Sequence, residues 1–364
     1  MRFPEFTEEW ENHVLQDTVT FSNGKAHENC VNEDGDYILV NSKFVSTNGQ
    51  IQKRVTSQLS PLCKSQFVMV MSDLPNGKAL AKCYYIEEDN KFTLNQRICS
   101  FSAKNGNISK FLMYQINRNK YYMRFDDGIN QTNLKKNEVL SCPVFIPSIK
   151  EQEKIATLLH LIDERIATQN KIIEDLKKLK SAISKKLLCN DKWTTYKIQD
   201  IAEIGRGRVI SSVEIDRQKH PLYPVYSSQT SNDGIMGYLD SYMFDGEYIT
   251  WTTDGANAGT VFYRKGKFNC TNVCGTLKIQ PKFDCYFVSL VLQQATQKYV
   301  SSNLANPKLM NNTMASIKIR MPNIETQKQL SKVFQTLDSC LLVHQRTCKM
   351  YLSEKQYLLC QMFI

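Results

Sequence analysis

The chain has 364 residues, 42% of them hydrophobic and 23% charged, with 15 Gly and 10 Pro, a balance that suits two or three globular domains and excludes a disordered or fibrous protein. A formal net charge of +10 is spread along the chain as +1 over residues 1–149 and +3 over each of 150–189, 190–318 and 319–364. That spread excludes a basic tail, fits nucleic acid, and decides nothing alone. The first residues, MRFPEFTEEW, lack a signal peptide and no run of eighteen apolar residues occurs, so the protein is expected in the cytoplasm, away from membranes. The 12 cysteines, scattered through a long chain without an export signal, read as reduced thiols.

The first segment opens with Trp10, Leu15, Gln16, Asp17 and Gly24. Tyr37–Ser46, Gln66–Asp73 and Ala81–Asp89 are short, rich in β-branched and aromatic residues, and bounded by polar turns, which predicts strands. Phe111, Tyr114, Gln115 and Arg118, spaced by three and four, predict a helix over Phe111–Asn119.

Pro147 to Cys189 follows as a long helix. Pro147 stops the preceding strand, Ser148 can cap, and Glu151 three residues later completes a capping box. Ile155, Leu159, Ile162, Ile166, Ile173, Leu176, Ile183 and Leu187 form an apolar seam that seeks a partner helix. Its polar members are Gln169 and Lys180, and the lysine run from Lys177 to Lys186 reads as a solvated face near the helix C-terminus.

After that helix the chain opens a second time: Trp193, Ile198, Gln199, Asp200 and Gly207 repeat the first opening at an offset of 183. Strands or turns are predicted at Tyr223–Ser228, Glu247–Gly255, Thr260–Phe268 and Gly275–Ile279, and a helix from Phe283 to about Ser301. From Pro322 onwards the first long helix recurs at an offset of 175: Pro147, Ile149, Gln152, Asp163 and Lys180 match Pro322, Ile324, Gln327, Asp338 and Lys355. Asn323 stands where Ser148 does, and His344 where Gln169 does. Leu330, Phe334, Leu337, Leu341, Tyr351 and Leu358 carry the second seam, which is poorer in isoleucine and includes Cys348. An internal duplication of about 140-residue mixed domains is the economical reading. Polar groups at matched depths predict that the two helices pack on each other, and chain order favours an antiparallel pair. At 1.5 Å per residue the first seam spans roughly 50 Å, more than one such domain covers.

Motifs for catalysis are missing. There is no phosphate loop, no HExxH and no GxSxG, and GRGR at Gly205–Arg208 lacks the third glycine and preceding strand of a dinucleotide site. His13, His27, His160, His220 and His344 show no ligand spacing, and Cys270 with Cys274 has no second pair to complete a zinc site, so no metal is expected. The Asn/Asp-Pro-Pro-Tyr motif of amino-methyltransferases is also absent. An enzyme on nucleic acid with a dispersed metal site would draw on Asp126, Asp127 and Asp254, and a coiled-coil adaptor for protein ligands is a further alternative.

Polar loops remain as candidates. In the second copy they hold Arg206, Arg208, Tyr226, Ser227, Ser228, Gln229, Thr253, Asp254 and Asn257; in the first, Asn41, Ser42, Lys43, Lys53, Arg54, Asn76 and Lys78. Asn and Gln pair with adenine edges, Arg and Lys with guanine, and hydroxyls with phosphate. The same residue types also form turns without touching any ligand.

The duplicated Pro-x-Ile-x-x-Gln helix starts at Pro147–Gln152 and Pro322–Gln327, each following a domain that opens W-x4-[LI]-Q-D, together with YPVYSS and TTDGANAGTVF, resemble the specificity subunit of type I restriction-modification systems over the whole chain. The resemblance implies an α+β architecture of two target-recognition domains, residues 1–146 and 190–321, each reading half of a split sequence in double-stranded DNA. The helices of residues 147–189 and 322–364 would pair as an antiparallel coiled coil and dock the other subunits. It implies a chain that is not an enzyme and binds no cofactor. Modification subunits would methylate adenine with S-adenosylmethionine, and restriction subunits would drive ATP-dependent translocation and cleavage. A charge in the seam, Ile166→Glu, is expected to separate the helices and abolish both methylation and restriction by the assembled complex; retention of either activity would refute the pairing.

Overall fold

The computed structural model describes residues 2–75, 77–188, 191–301 and 306–363. Contacts divide the chain into two compact units, Met1–Asn170 with Arg346–Ile364, and Lys171–Gln345. Each unit therefore takes part of the first long helix, Ile149–Leu187, and part of the second, Ile324–Met362. Among the described residues no helix is long and apolar enough to cross a membrane.

The first unit is built on a four-stranded antiparallel sheet in the order Val19–Asn23, Ile98–Ala103, Phe67–Val70, Cys83–Tyr85. Beside it Tyr37–Val40 pairs antiparallel with Arg54–Val55 and parallel with Phe92–Leu94. Glu11–Val14 and Pro143–Ile146 form a separate ribbon next to the start of the long helix. The second unit repeats this plan. Its four strands run Ala202–Arg206, Cys274–Ile279, Glu247–Thr252, Val261–Lys265. Its three-stranded sheet places Tyr223–Tyr226 between Ile235–Leu239 and Asn269–Cys270, and Thr194–Lys197 pairs with Lys318–Met321.

The matched residues explain why the plan recurs. Trp10 and Trp193 each set an indole edge against a phenylalanine of the domain's main helix, Phe111 and Phe287, with ring centres 5.9 Å apart in both cases. Gln152 and Gln327 are buried at the starts of the long helices. Gln152 donates to Pro147 O at 3.0 Å and accepts from Ile108 N at 2.9 Å, while Gln327 donates to Pro322 O at 2.8 Å and accepts from Asp284 N at 3.0 Å. One amide thus ties the N-terminus of each domain helix, Ser109–Ile116 or Cys285–Ala295, to the start of the long helix that follows.

Several local expectations change. Tyr37–Ser46 is a strand only to Val40; Asn41 Oδ1 accepts from Phe44 N at 2.9 Å and starts a short helix, Ser42–Ser46, that buries Phe44 and Val45. Tertiary burial overrides the β-propensity of that run. The helix expected to reach about Ser301 ends at Ala295 and tightens into a 3-10 turn over Thr296–Tyr299. Glu151 does not turn back to the cap: its buried carboxylate receives the Arg2 guanidinium at 2.7 and 2.6 Å. Asn323 does cap its helix, accepting from Thr326 N at 2.9 Å. In the seam, Leu187 is 36% exposed, and Leu188, just past the last helical turn, folds back onto the core at 6% exposure instead.

Replacing Gln327 with Leu strands the Asp284 N–H and the Pro322 carbonyl. A loss of about 1–3 kcal/mol is expected for each group left unpaired, read as a lower urea midpoint; an unchanged midpoint would show that the amide is dispensable.

Candidate nucleic-acid interface

The candidate loops emerge from corresponding edges of the two sheets. Strand Val19–Asn23 is followed by Gly24, whose N–H reaches Ile98 O at 3.0 Å; strand Ala202–Arg206 is followed by Gly207, whose N–H reaches Cys274 O at 3.1 Å. A Cβ on Gly24 would stand 1.9 Å from Asn95 O, and one on Gly207 2.1 Å from Cys270 O, so close backbone approach demands glycine at both. The next residue forms a parallel bridge in each copy, Lys25 with Asn95 and Arg208 with Thr271. Lys25 is thus the counterpart of Arg208, exposed as it is, and its one sequence signal is the 183-residue offset that aligns the two glycines. Arg208 grips the Glu214 carboxylate through both terminal nitrogens, one bond measuring 2.9 Å, and this guanidinium holds the Glu214 carboxyl below its usual range.

Within the second unit several candidates lie together. Arg206 Nη2 donates to Thr253 Oγ1 at 3.0 Å, and that hydroxyl donates to Asp254 Oδ1 at 3.1 Å. Thr253 O accepts from Leu309 N at 2.7 Å, which fixes the strand end against the segment around Lys308. Asn257 Nδ2 donates to Ser228 O at 3.3 Å and joins the 253–259 loop to the 227–234 loop. Gln229 turns its amide inward onto Ile235 O, and its N–H reaches Ser227 Oγ at 3.5 Å. The half-buried ring of Tyr226 lies 3.6 Å beneath the Arg264 guanidinium.

The first unit places its own candidates on the same backbone. Asn95 N reaches Val40 O at 3.1 Å and Thr271 N reaches Tyr226 O at 2.9 Å, so Asn41–Lys43 occupies the place of Ser227–Gln229. Asn41 is committed to capping, Ser42 is half-buried and Lys43 is exposed. Leu134 N donates to Met71 O at 2.8 Å as Leu309 N does to Thr253 O, which sets Met71 where Thr253 stands. The loop beyond is anchored by Asp73 Oδ2, which accepts from Ala79 N at 2.6 Å and Leu80 N at 3.0 Å, and it exposes Lys78. Asn76 lies outside the described residues. Lys53 and Arg54 are exposed at the edge strand, with Arg54 Nη1 donating to Gly35 O at 3.0 Å.

The seams carry a second set of matched polar contacts. In the first unit Asp163 accepts from Tyr114 OH at 2.8 Å and from Lys355 Nζ at 2.5 Å. In the second, Asp338 accepts from Tyr286 OH at 2.5 Å and from Lys180 Nζ. Burial, followed by the neighbouring carboxylate, pushes both phenols up, so they remain donors. Also in the first unit, Arg165 Nη1 donates to Tyr351 OH at 3.3 Å and Cys348 Sγ contacts Asn170 Oδ1 at 3.5 Å, so the contacts recede along one helix as they advance along the other. Of the seam residues, Ile155, Leu159, Ile162, Phe334 and Leu341 are buried, whereas Ile166, Ile173, Leu176, Ile183, Leu330, Leu337, Tyr351 and Leu358 are half-buried.

The carboxylates of the dispersed-metal alternative are occupied locally. Asp126 accepts from Gly128 N at 3.0 Å, and Asp127 accepts from Ile129 N at 2.9 Å and Asn130 N at 2.8 Å, the pattern of turn formers. Among the described residues no three His, Cys, Asp or Glu side chains are placed to hold a metal. Burial pushes the Cys270 thiol up and the Cys274 thiol up to about 11, which keeps both protonated at neutral pH. Two clefts of about 480 and 420 Å³ flank the start of the first long helix, around Glu8, His13 and Asp17 and around Lys110 and His160, away from the loops above.

Residues 7–178 and 190–349 match the family described as type I restriction modification DNA specificity domain. A relative from Mycoplasma pneumoniae, named provisionally as a type I specificity subunit, is 40% identical over 194 residues, which cover 52% of this chain and 81% of that protein. The specificity subunit of the type I restriction enzyme MpnII of Mycoplasma pneumoniae is 43% identical over 145 residues, covering 40% of this chain and 43% of that one. The fold is similar to the crystal structure of a type I restriction-modification S subunit from M. genitalium, with a TM-score of 0.72 and 17% identity, covering 98% of this chain and 96% of the other.

Reversing the polarity of one seam pair tests whether charge or shape sets it. Lys180→Asp and Asp338→Lys are each expected to lower stability by about 1 kcal/mol through the ion pair, a partly exposed pair being screened by solvent, and the double variant is expected to recover the ion-pair part in a denaturation cycle while the Tyr286 bond stays lost. Additive losses would show that the two residues do not interact.

Proposed function

Because the chain belongs to the type I restriction-modification DNA specificity family, and is therefore a non-catalytic DNA sequence-recognition subunit, we propose that it reads a bipartite target with one domain per half-site. The recognition domains are residues 1–146 and 190–321, and the helices 147–189 and 322–364 pair as an antiparallel coiled coil that serves as spacer and docking surface. One observation carries this reading. The two copies share a backbone down to single hydrogen bonds at Gly24 and Gly207 and at Met71 and Thr253, while the side chains on the loops between these points differ. A constant frame with variable loops is what two different half-sites require of a duplicated reader.

Each long helix has 39 residues, roughly 58 Å at 1.5 Å per residue, against about 34 Å for a turn of B-DNA. A spacer of that length suits half-sites separated by unread base pairs. Adenine methyltransferase subunits and ATP-dependent restriction subunits are the partners, the chain needs no cofactor, and the complex works in the cytoplasm. The basic excess supports phosphate contacts, so binding by the complex should weaken steeply with salt.

The test is to map methylated adenines in DNA from cells that co-express the chain with modification subunits. A split motif is expected. Arg208→Ala is expected to relax one half of it and leave the other intact, since Arg208 lies in the second domain alone. A continuous motif, equal loss at both halves, or methyl transfer by the isolated chain would overturn the proposal.

A further inference from the structure

Among the described residues of the second unit, Arg264 is the one guanidinium that is almost fully enclosed, at 4% exposure. It projects from strand Val261–Lys265 beneath the loop that follows Tyr226. Its Nη1 donates to Asp233 Oδ2 at 2.7 Å, its Nη2 to Asp233 O at 2.8 Å, and its Nε to Thr250 Oγ1 at 3.3 Å. The guanidinium carbon lies 3.6 Å from the ring centre of Tyr226 and 4.4 Å from that of Phe262. The group therefore meets both the loop and the sheet.

The loop it holds has an uncommon backbone. Asn232 and Asp233 have φ of 49° and 54°, two consecutive non-glycine residues in the left-handed region, and Gly234 follows at 80°. Asn and Asp tolerate this region better than other side chains, and a run of them persists where surrounding contacts over-determine it. The two bonds from Arg264 to Asp233 are among those contacts, beside Ser227 N–H to Gly234 O at 2.9 Å and the Gln229 amide to Ile235 O. Asp233 itself is 66% exposed, so the clamp is a link between a buried cation and a carboxylate at the surface.

Comparison of the two copies shows that the arginine is a choice made in one of them. The register of the paired strands sets Ile86 where Arg264 stands, Val68 where Thr250 stands and Val40 where Tyr226 stands, all three fully buried and part of one apolar cluster. There the following segment is the helix Ser42–Ser46, which plugs Phe44 into that cluster. An apolar floor accompanies a self-plugging helical turn in the first domain, and a cationic floor accompanies a strained, clamped loop in the second.

We propose that Arg264 is a positioning residue that sets the conformation of the 227–234 loop through Asp233, and thereby the base preference of the half-site read by the second domain. The inference rests on the reading that this loop faces DNA, and it predicts that specificity is tuned from a residue that never touches the nucleic acid.

The test uses the complete chain in complex with modification subunits and measures methylation of targets with each base of either half-site substituted. Asp233→Asn and Arg264→Lys are expected to reduce discrimination at one half-site about tenfold or more and to leave the other half, in the same complex, unchanged. Asp233→Glu, which keeps the carboxylate, is expected to restore the original preference. Gln229→Ala is the companion variant within the loop. If it shifts one half-site while Asp233→Asn and Arg264→Lys do not, the positioning role is overturned and the loop remains a reader. If none of the variants shifts either half-site, the loop is not a reader and both ideas fall. Equal loss at both half-sites would assign Arg264 to folding alone and overturn the proposal.

Discussion

Asp163 and Asp338 stand beside the apolar seams with 36% and 40% of their side chains exposed, and each draws two donors to one point. Each accepts a tyrosine hydroxyl from the helix of its own domain and a lysine ammonium from the long helix of the other copy. The tyrosine bond fixes how the long helix lies on its domain. The lysine bond fixes which residues of the other helix come opposite. Because the same trio occurs in each unit, one duplicated segment supplies both the acceptor and the donor for its own counterpart.

The buried amides of Gln152 and Gln327 extend that coupling to the domain helix. Two backbone groups that would otherwise be unpaired at a domain–helix junction are closed by one side chain, which links the domain helix to the long helix. With the frame held in this way, the loops at the sheet ends can differ. They do differ: Asn41 caps a helix where Ser227 enters an irregular loop, and Ile86 fills a cluster where Arg264 clamps one.

Much of this was legible before any coordinates. The duplication, its two offsets, both long helices and the matched residues Trp10 and Trp193, Gln152 and Gln327, Asp163 and Asp338, Lys180 and Lys355 all stand in the sequence, because each pair recurs at a fixed offset. The candidate loops were also legible as polar stretches. Their individual roles were not. Asn41 is a cap, Gln229 faces its own loop and Arg208 is held by Glu214, and these commitments depend on neighbours that no local pattern names.

Sequence alone determined the architecture of a doubled domain and rod, since hydrophobic period, caps and repeated polar breaks are local and survive duplication. Tertiary structure decided what the repeated residues do for one another. Asp163 meets Lys355 across 192 residues of chain, and Arg264 on a strand meets Asp233 in a loop 31 residues earlier. Partners of that kind are chosen by packing distance, and separation along the sequence carries no information about it.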